Sequence, residues 1–297
     1  MARQSLPLNS FIGVAASSTA QTTLPANMRI HGLNLHYTTT QGGTGGTAAN
    51  ILAAGGITAI RVSFGGSLLI KTFTPLELFI VNAYRGRAFT TFTDQAGTVW
   101  GEIFIPFSSW WARTPDGEES TALETYDDRT PQILVEVVLG TNTAPALVGE
   151  VSFDNNRSDP KSTRYTLRQL VNAGLNFGAG EIDQPNRVTL NTAFQGIHAV
   201  VVVGSGTNTI DRVKVIRNGL QLIDRDLKTA AMLGRARGFA PQTSVQATTV
   251  VHFPIDFCDD GQVQSALPIT SDFNLKVTGS TTGAGTLKLL TEELLKY

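Results

Sequence analysis

The side chains able to do chemistry are few. The 297-residue chain has four histidines, His31, His36, His198 and His252, and a single cysteine, Cys258. A zinc site needs several nitrogen, sulfur or carboxylate ligands at short regular spacings, and none of these residues has partners so placed. His31 and His36 are an odd number of positions apart, so on one strand they face opposite sides and do not share a metal. A lone cysteine beside Phe257 excludes an internal disulfide and reads as a buried thiol. No GxSxG elbow, HExxH helix or phosphate-cradling GxxxxGK[ST] loop is present. The cluster Gly42, Gly43, Gly45 and Gly46 has neither lysine nor helix after it, so it reads as a surface loop.

Two stretches keep a binding role in view. Asp116, Glu118, Glu119, Glu124, Asp127 and Asp128 could offer oxygens to calcium, but they lack the alternate spacing of a calcium loop, and a solvated loop is expected over 116–128. Nothing orients a pair of these acids for glycoside hydrolysis. Trp110 and Trp111 admit three readings: a platform for a sugar ring, an anchor for a subunit contact, or packing at a sandwich edge. No residue is assigned a catalytic, cofactor-binding or metal-binding role, and a non-enzymatic protein is expected.

Composition agrees with a structural part. Hydrophobic residues make up 41% and charged residues 16%, below the roughly 25% usual for a globular domain. With 23 basic and 24 acidic side chains, net charge is -1, which provides no field to gather nucleic acid and little repulsion between copies. No secretion signal opens the chain, and no apolar run is long enough to span a bilayer.

An internal repeat organises the chain. ITAIRVSFGGSLLIK, from Ile57, lies over IDRVKVIRNGLQLID, from Ile210, at an offset of 153. The register resumes at 150, where Arg85, Arg87 and Phe89 match Arg235, Arg237 and Phe239. The run ending at Phe107 then matches the run ending at Phe257, and LVEVVLG, from Leu134, matches FNLKVTG, from Phe273.

Alternating apolar and polar residues predict strands over 30–37, 57–64, 68–73, 99–107, 133–139 and 147–153. In the second half they predict strands over 188–192, 197–203, 210–216, 220–223, 250–257, 273–277 and 287–290. Thr74 as cap with Pro75 at the first position predicts a short helix to Tyr84, with a counterpart over 227–233. A third helix is expected over 163–175, with Leu167, Leu170 and Val171 on one face. The polar stretch from Asp154 to Ser162 is the best boundary. The reading is all-β: an N-terminal arm (1–27), a first jelly roll (28–155), a linker (156–162) and a second jelly roll (163–297).

Two eight-stranded jelly-roll sandwiches in tandem, each with a helix after an early strand pair, resemble the double jelly-roll major capsid proteins of tailless, membrane-containing icosahedral bacteriophages, the corticovirus-like kind. The resemblance runs from about Met28 to Leu290 and rests on architecture and repeat. It implies a coat subunit of the virion, assembled in the host cytoplasm as a homotrimer with a pseudo-hexagonal outline. It also implies contacts with neighbouring capsomers and with vertex or minor capsid proteins, and a shell over an internal membrane. On this view the arm runs along the base of the shell, where Arg3, Leu6, Leu8, Phe11 and Ile12 could meet the membrane; a disordered terminus is the plainer expectation. Sequence-specific nucleic-acid binding is not implied. Arg85 with Arg87, and Arg235 with Arg237, are expected at the surface, either as equivalent intersubunit contacts or as ordinary exposed arginines. The alternative reading is a carbohydrate-binding or adhesive spike or fibre sandwich.

Overall fold

A computed structural model describes residues 3–40, 55–87, 90–93, 98–126, 132–155, 165–171, 175–187, 193–203, 208–239, 244–245, 248–268, 273–281 and 283–296. The chain divides into two compact units: Met1–Asn82 with Ala88–Leu170 and Lys296–Tyr297, and Ala83–Arg87 with Val171–Leu295.

In the first unit the elements are β1 (Gln4–Pro7), β2 (Thr19–Thr23), β3 (Arg29–Thr40), β4 (Ile57–Phe64), β5 (Leu68–Phe73), α1 (Pro75–Tyr84), β6 (Thr90–Thr93), β7 (Thr98–Pro106), α2 (Pro115–Glu119), β8 (Leu123–Glu124), β9 (Ile133–Leu139), β10 (Ala146–Asp154) and β11 (Tyr165–Val171). One sheet runs β1-β10-β3-β7-β6, and the other runs β5-β4-β9-β2. Period-two patterning decides what is hidden: on β9, Ile133, Val135, Val137 and Leu139 are buried and the residues between them only partly so.

The second unit contains β12 (Leu175–Phe177), β13 (Gly180–Arg187), β14 (Ala193–Val203), β15 (Asn208–Arg217), β16 (Leu220–Asp226), α3 (Leu227–Ala236), β17 (Ser244–Val245), β18 (Thr248–Asp256), β19 (Leu267–Pro268), β20 (Phe273–Thr281) and β21 (Gly285–Lys296). Its core joins Ile197, Ala199 and Val201 of β14 and Phe253 of β18 to Val213 of β15 and Leu275 of β20. The rings of Phe194 and Phe273 meet at 5.5 Å between centroids. Two sheets therefore close on one apolar layer, as a sandwich requires.

Pairing repeats strand for strand. β3 lies between β7 and β10 as β14 lies between β18 and β21. β4 lies between β5 and β9 as β15 lies between β16 and β20. Even the irregularities match at the offset of 153: the bulge at Val62/Ser63 recurs at Val215/Ile216, and the shift between Ile57 and Ala59 recurs between Ile210 and Arg212. The hairpin turns use Gly65 and Gly66, at φ 56° and 72°, and Asn218 and Gly219, at φ 52° and 75°. Positive φ at both central residues is the two-residue turn whose twist suits a hairpin.

The predicted helix at Thr74 forms as α1. The Thr74 amide donates to Glu77 Oε2 (2.8 Å) and the Glu77 amide donates to Thr74 Oγ1 (3.3 Å), a reciprocal capping box. The helix expected over 163–175 is not found; Tyr165–Val171 is a strand, β11, parallel to β5, with Gln169 beside Lys71. Lys71, fully buried, donates from Nζ to Leu167 O (2.9 Å) and Gln169 Oε1 (3.0 Å). Satisfying the open edge of β5 outweighs a helical spacing of three leucine or valine side chains. The stretch expected as an arm is partly sheet, since β1 pairs with β10 and β2 with β9. The expected strand over 188–192, the glycine cluster at 42–46 and the linker over 156–162 lie outside the described residues.

An added Cβ meets nothing within 4 Å at Gly66 or Gly219, so alanine there tests backbone conformation alone. Gly66→Ala and Gly219→Ala should each lower the unfolding free energy by about 1 kcal/mol in denaturant titration. Gly178→Ala, also in open space but without positive φ, should cause no such loss.

Candidate assembly surface and buried ionic clusters

In the first unit, Arg29 and His31 lie two positions apart on β3, and Asp154 ends β10 beside them. Arg29 donates from Nε to Asp154 Oδ1 (3.0 Å) and from Nη2 to Oδ2 (2.7 Å), and from Nη1 to Glu119 Oε2 (3.3 Å). His31 Nε2 is 2.7 Å from Asp154 Oδ2; the carboxylate can only accept, so this nitrogen carries the hydrogen. His31 Nδ1 faces Glu118 Oε1 at 3.8 Å without a hydrogen bond. Burial pushes the His31 pKa down, aided by the Arg3 charge and opposed by Asp154 and Glu118.

The acidic stretch is thus partly spent on arginines. Thr114 caps α2, Glu118 pairs with Arg3 and accepts from Ser108 Oγ (3.1 Å), and Glu119 takes Arg29. A cleft of about 420 Å³ opens here, lined by Arg3, Arg113, Glu118, Glu119 and Asp154 among others, with both signs of charge on its wall. No group of three metal-ligating side chains occurs among the described residues, and Asp127 and Asp128 lie outside them.

Trp110 packs edge-on against Phe104, with centroids 6.2 Å apart at 83°. The Phe104 ring in turn covers Gly32, where a Cβ would lie 2.3 Å from it. Of the three readings of Trp110, packing is the contact observed; Trp111 is half-buried.

In the second unit, the segment Ala83–Arg87 brings Tyr84 and Arg85 to a face of β14, β18 and β21 opposite the apolar core. Arg85 donates from Nη1 to Asp256 Oδ2 (2.5 Å) and from Nη2 to Oδ1 (3.1 Å), and Nη2 stands 3.7 Å from Glu292 Oε2. Its guanidinium lies 4.9 Å from the Phe239 ring centre. His198 Nε2 is 3.0 Å from Glu292 Oε2, and His198 Nδ1 is 2.9 Å from His252 Nε2. The surface reading of the two arginine pairs therefore fails at Arg85, which is buried, and the pairs are not equivalent: Arg235 is exposed and Arg237 pairs with Asp259. Cys258 is buried as expected, and burial with Asp256 nearby pushes its thiol pKa up.

No sequence spacing announces this cluster, because its members come from four distant segments. The alternation signal carries a partial clue: it places His198, His252 and Glu292 off the apolar face, but not what covers them. Exposed apolar side chains are the other feature that sequence missed. Among the described residues they are Leu6, Ile12, Leu68, Trp100 and Val148 in the first unit and Leu220, Leu222 and Met232 in the second.

Burial and the His198 charge push the His252 pKa well below its ordinary value, and His31 is also lowered. The unfolded chain therefore binds protons below about pH 6.5 that the folded chain refuses, so stability rises with pH through that window and falls on acidification. Each such histidine costs up to about 1.4 kcal/mol per pH unit. Thermal midpoints of the native protein should fall from pH 7 to 5.5, and His252→Asn should flatten that slope; an unchanged slope would contradict the assignment.

Family models match both halves: the viral coat protein P2 N-terminal domain over residues 5–153 and the viral coat protein P2 C-terminal domain over residues 169–296. No curated protein matches the sequence significantly. Among solved structures, the fold is similar to the major capsid protein P2 from Bacteriophage PM2, with TM-score 0.68 and 17% identity, covering 100% of this chain and 98% of that one. It is similar to the STIV MCP, with TM-score 0.71 and 11% identity, covering 100% and 97%. The Faustovirus major capsid protein follows at TM-score 0.59 and 8% identity, covering 100% and 90%. At these identities the structural matches speak for the double jelly-roll fold, while the two family models, which together account for most of the sequence, show that the chain belongs to the viral coat protein P2 family.

Proposed function

We propose that this coat protein forms homotrimeric, pseudo-hexagonal capsomers of an icosahedral shell, that its role is structural and not enzymatic, and that the shell encloses a membrane. The duplicated sandwich is the observation that carries this reading. Two like-built units in one chain let three chains present six similar outlines, so a three-fold particle can fill a site of local six-fold symmetry. Neighbouring capsomers and vertex or minor capsid proteins are the partners that such a particle requires. Exposed Ile12, Val148, Trp100, Leu220, Leu222 and Met232 supply apolar surface for such contacts.

Membrane contact is assigned to the N-terminal segment. Arg3 is ion-paired with Glu118 and Phe11 is buried, which leaves Ile12, 80% exposed, and Leu6, 37% exposed, as its apolar points.

Purified protein should sediment as a trimer at micromolar concentration; a persistent monomer overturns the capsomer reading. Cosedimentation with anionic lipid vesicles should fall several-fold in Ile12→Glu, and equal binding by both forms removes the membrane role from this segment.

A further inference from the structure

β5 and β16 are the matching outer strands of the two hairpins, yet their outer edges are treated differently. β11 lies along β5, parallel to it, with Gln169 opposite Lys71 and Leu170 opposite Thr72. This joint lies within the first unit, which extends to Leu170. β16 is the end of its sheet, β13-β20-β15-β16, and no strand among the described residues covers it. Seven residues long, it carries Leu220 at 67% exposure and Leu222 at 36%. A long open edge of this kind is a template for another strand.

What covers β5 indicates what would cover β16. β11 opens the second repeat: the C-terminal coat domain begins at residue 169, inside β11, and the N-terminal one at residue 5, inside β1. Strand order agrees. β1 precedes β2, which pairs with β9, and β11 with the short β12 precedes β13, which pairs with β20. β12 pairs antiparallel with the last strand of its unit, β21, as β1 does with β10. β1 also ends its sheet, its outer edge has no strand among the described residues, and all four of its residues are exposed.

We propose, resting on the capsomer reading, that β1 of one copy adds in parallel to the outer edge of β16 in the next copy, repeating between chains the joint that β11 makes with β5. Each copy gives one strand and receives one, a head-to-tail contact that closes into a ring when three copies meet. Recognition is by backbone hydrogen bonds, as in any strand addition to a sheet edge. The ladder shows which groups β1 can offer. The Leu8 amide donates to Gly149 O at 2.8 Å, and antiparallel bonding alternates, so the backbones of Leu6 and Gln4 face β10 while those of Ser5 and Pro7 face outward. The outward groups are therefore the Ser5 amide and the carbonyls of Ser5 and Pro7. Pro7 has no amide to offer, and proline within a sheet is confined to edges such as this one. Ile12, the proposed membrane point, lies beyond β1 and is not used.

A photoreactive benzophenone amino acid in place of Leu222 reports what lies beside β16. Irradiating the purified trimer should give dimer and trimer bands in denaturing electrophoresis, and mass spectrometry should place the crosslink on the peptide holding Gln4–Pro7 of another copy. Ser5→Pro removes the outward amide and leaves those that face β10, whereas Ser5→Ala removes only the hydroxyl that bonds Glu150. In a dilution series followed by sedimentation, Ser5→Pro should dissociate at a concentration at least about tenfold higher than the native protein, and Ser5→Ala should match the native protein. A trimer whose position 222 captures other peptides, or peptides of its own chain alone, overturns the strand addition and leaves the capsomer standing, as does a Ser5→Pro trimer as tight as that of Ser5→Ala. A monomeric native protein overturns both. Should Ser5→Pro not fold, the crosslink decides alone.

Discussion

Burial of one alternating set of side chains holds the register on which everything else in each unit depends. On β14, Ile197, Ala199 and Val201 enter the core while Gly196, His198 and Val200 take the other face. A slip of one residue would drive His198 into the apolar layer and expose the other set. Full burial of an aliphatic or phenyl side chain contributes about 1.5–3 kcal/mol, so the correct register is favoured by several such terms at once. Bulges at equivalent places in both units show how strongly that layer constrains the backbone: where the pattern breaks by one residue, the pairing breaks with it.

On the faces away from the core, each unit buries an arginine against an aspartate. Arg29 meets Asp154 in the first, and Arg85 meets Asp256 in the second. Desolvation makes such pairs poor sources of net stability, but stripping one partner leaves a bare buried charge that costs about 3–5 kcal/mol. Their effect is therefore to specify. Arg29 fixes the start of β3 to the end of β10, and Arg85 fixes a short segment from the first half of the sequence onto the second unit's sheet. Each guanidinium has a planar fork suited to a carboxylate, which lysine lacks.

A coat protein's chemistry is that of its surfaces. With nearly balanced charge and few charged residues, the chain carries little net charge to set up long-range repulsion between copies. The two hairpins treat their outer strands differently: β5 is covered by β11, whereas β16 ends its sheet and leaves Leu220 and Leu222 exposed. Duplication thus keeps the core constant and lets the edges diverge.

The repeat, the strand class, the cap at Thr74 and the coat family were legible in the residues alone, because period-two alternation and capping chemistry are local and survive without a partner. Local patterns also misled: Leu167, Leu170 and Val171 suit a helix by spacing, yet the open edge of β5 drew them into a strand. His31, His198 and His252 read as isolated strand residues, since nothing along the chain joins positions 198, 252 and 292 or brings Arg85 to them. Sequence alone determined where most of the long core strands lie and which of their residues turn toward the core. Only the tertiary structure decided what covers the opposite faces, because that depends on segments distant in the chain meeting in space, and buried charge is set by those meetings.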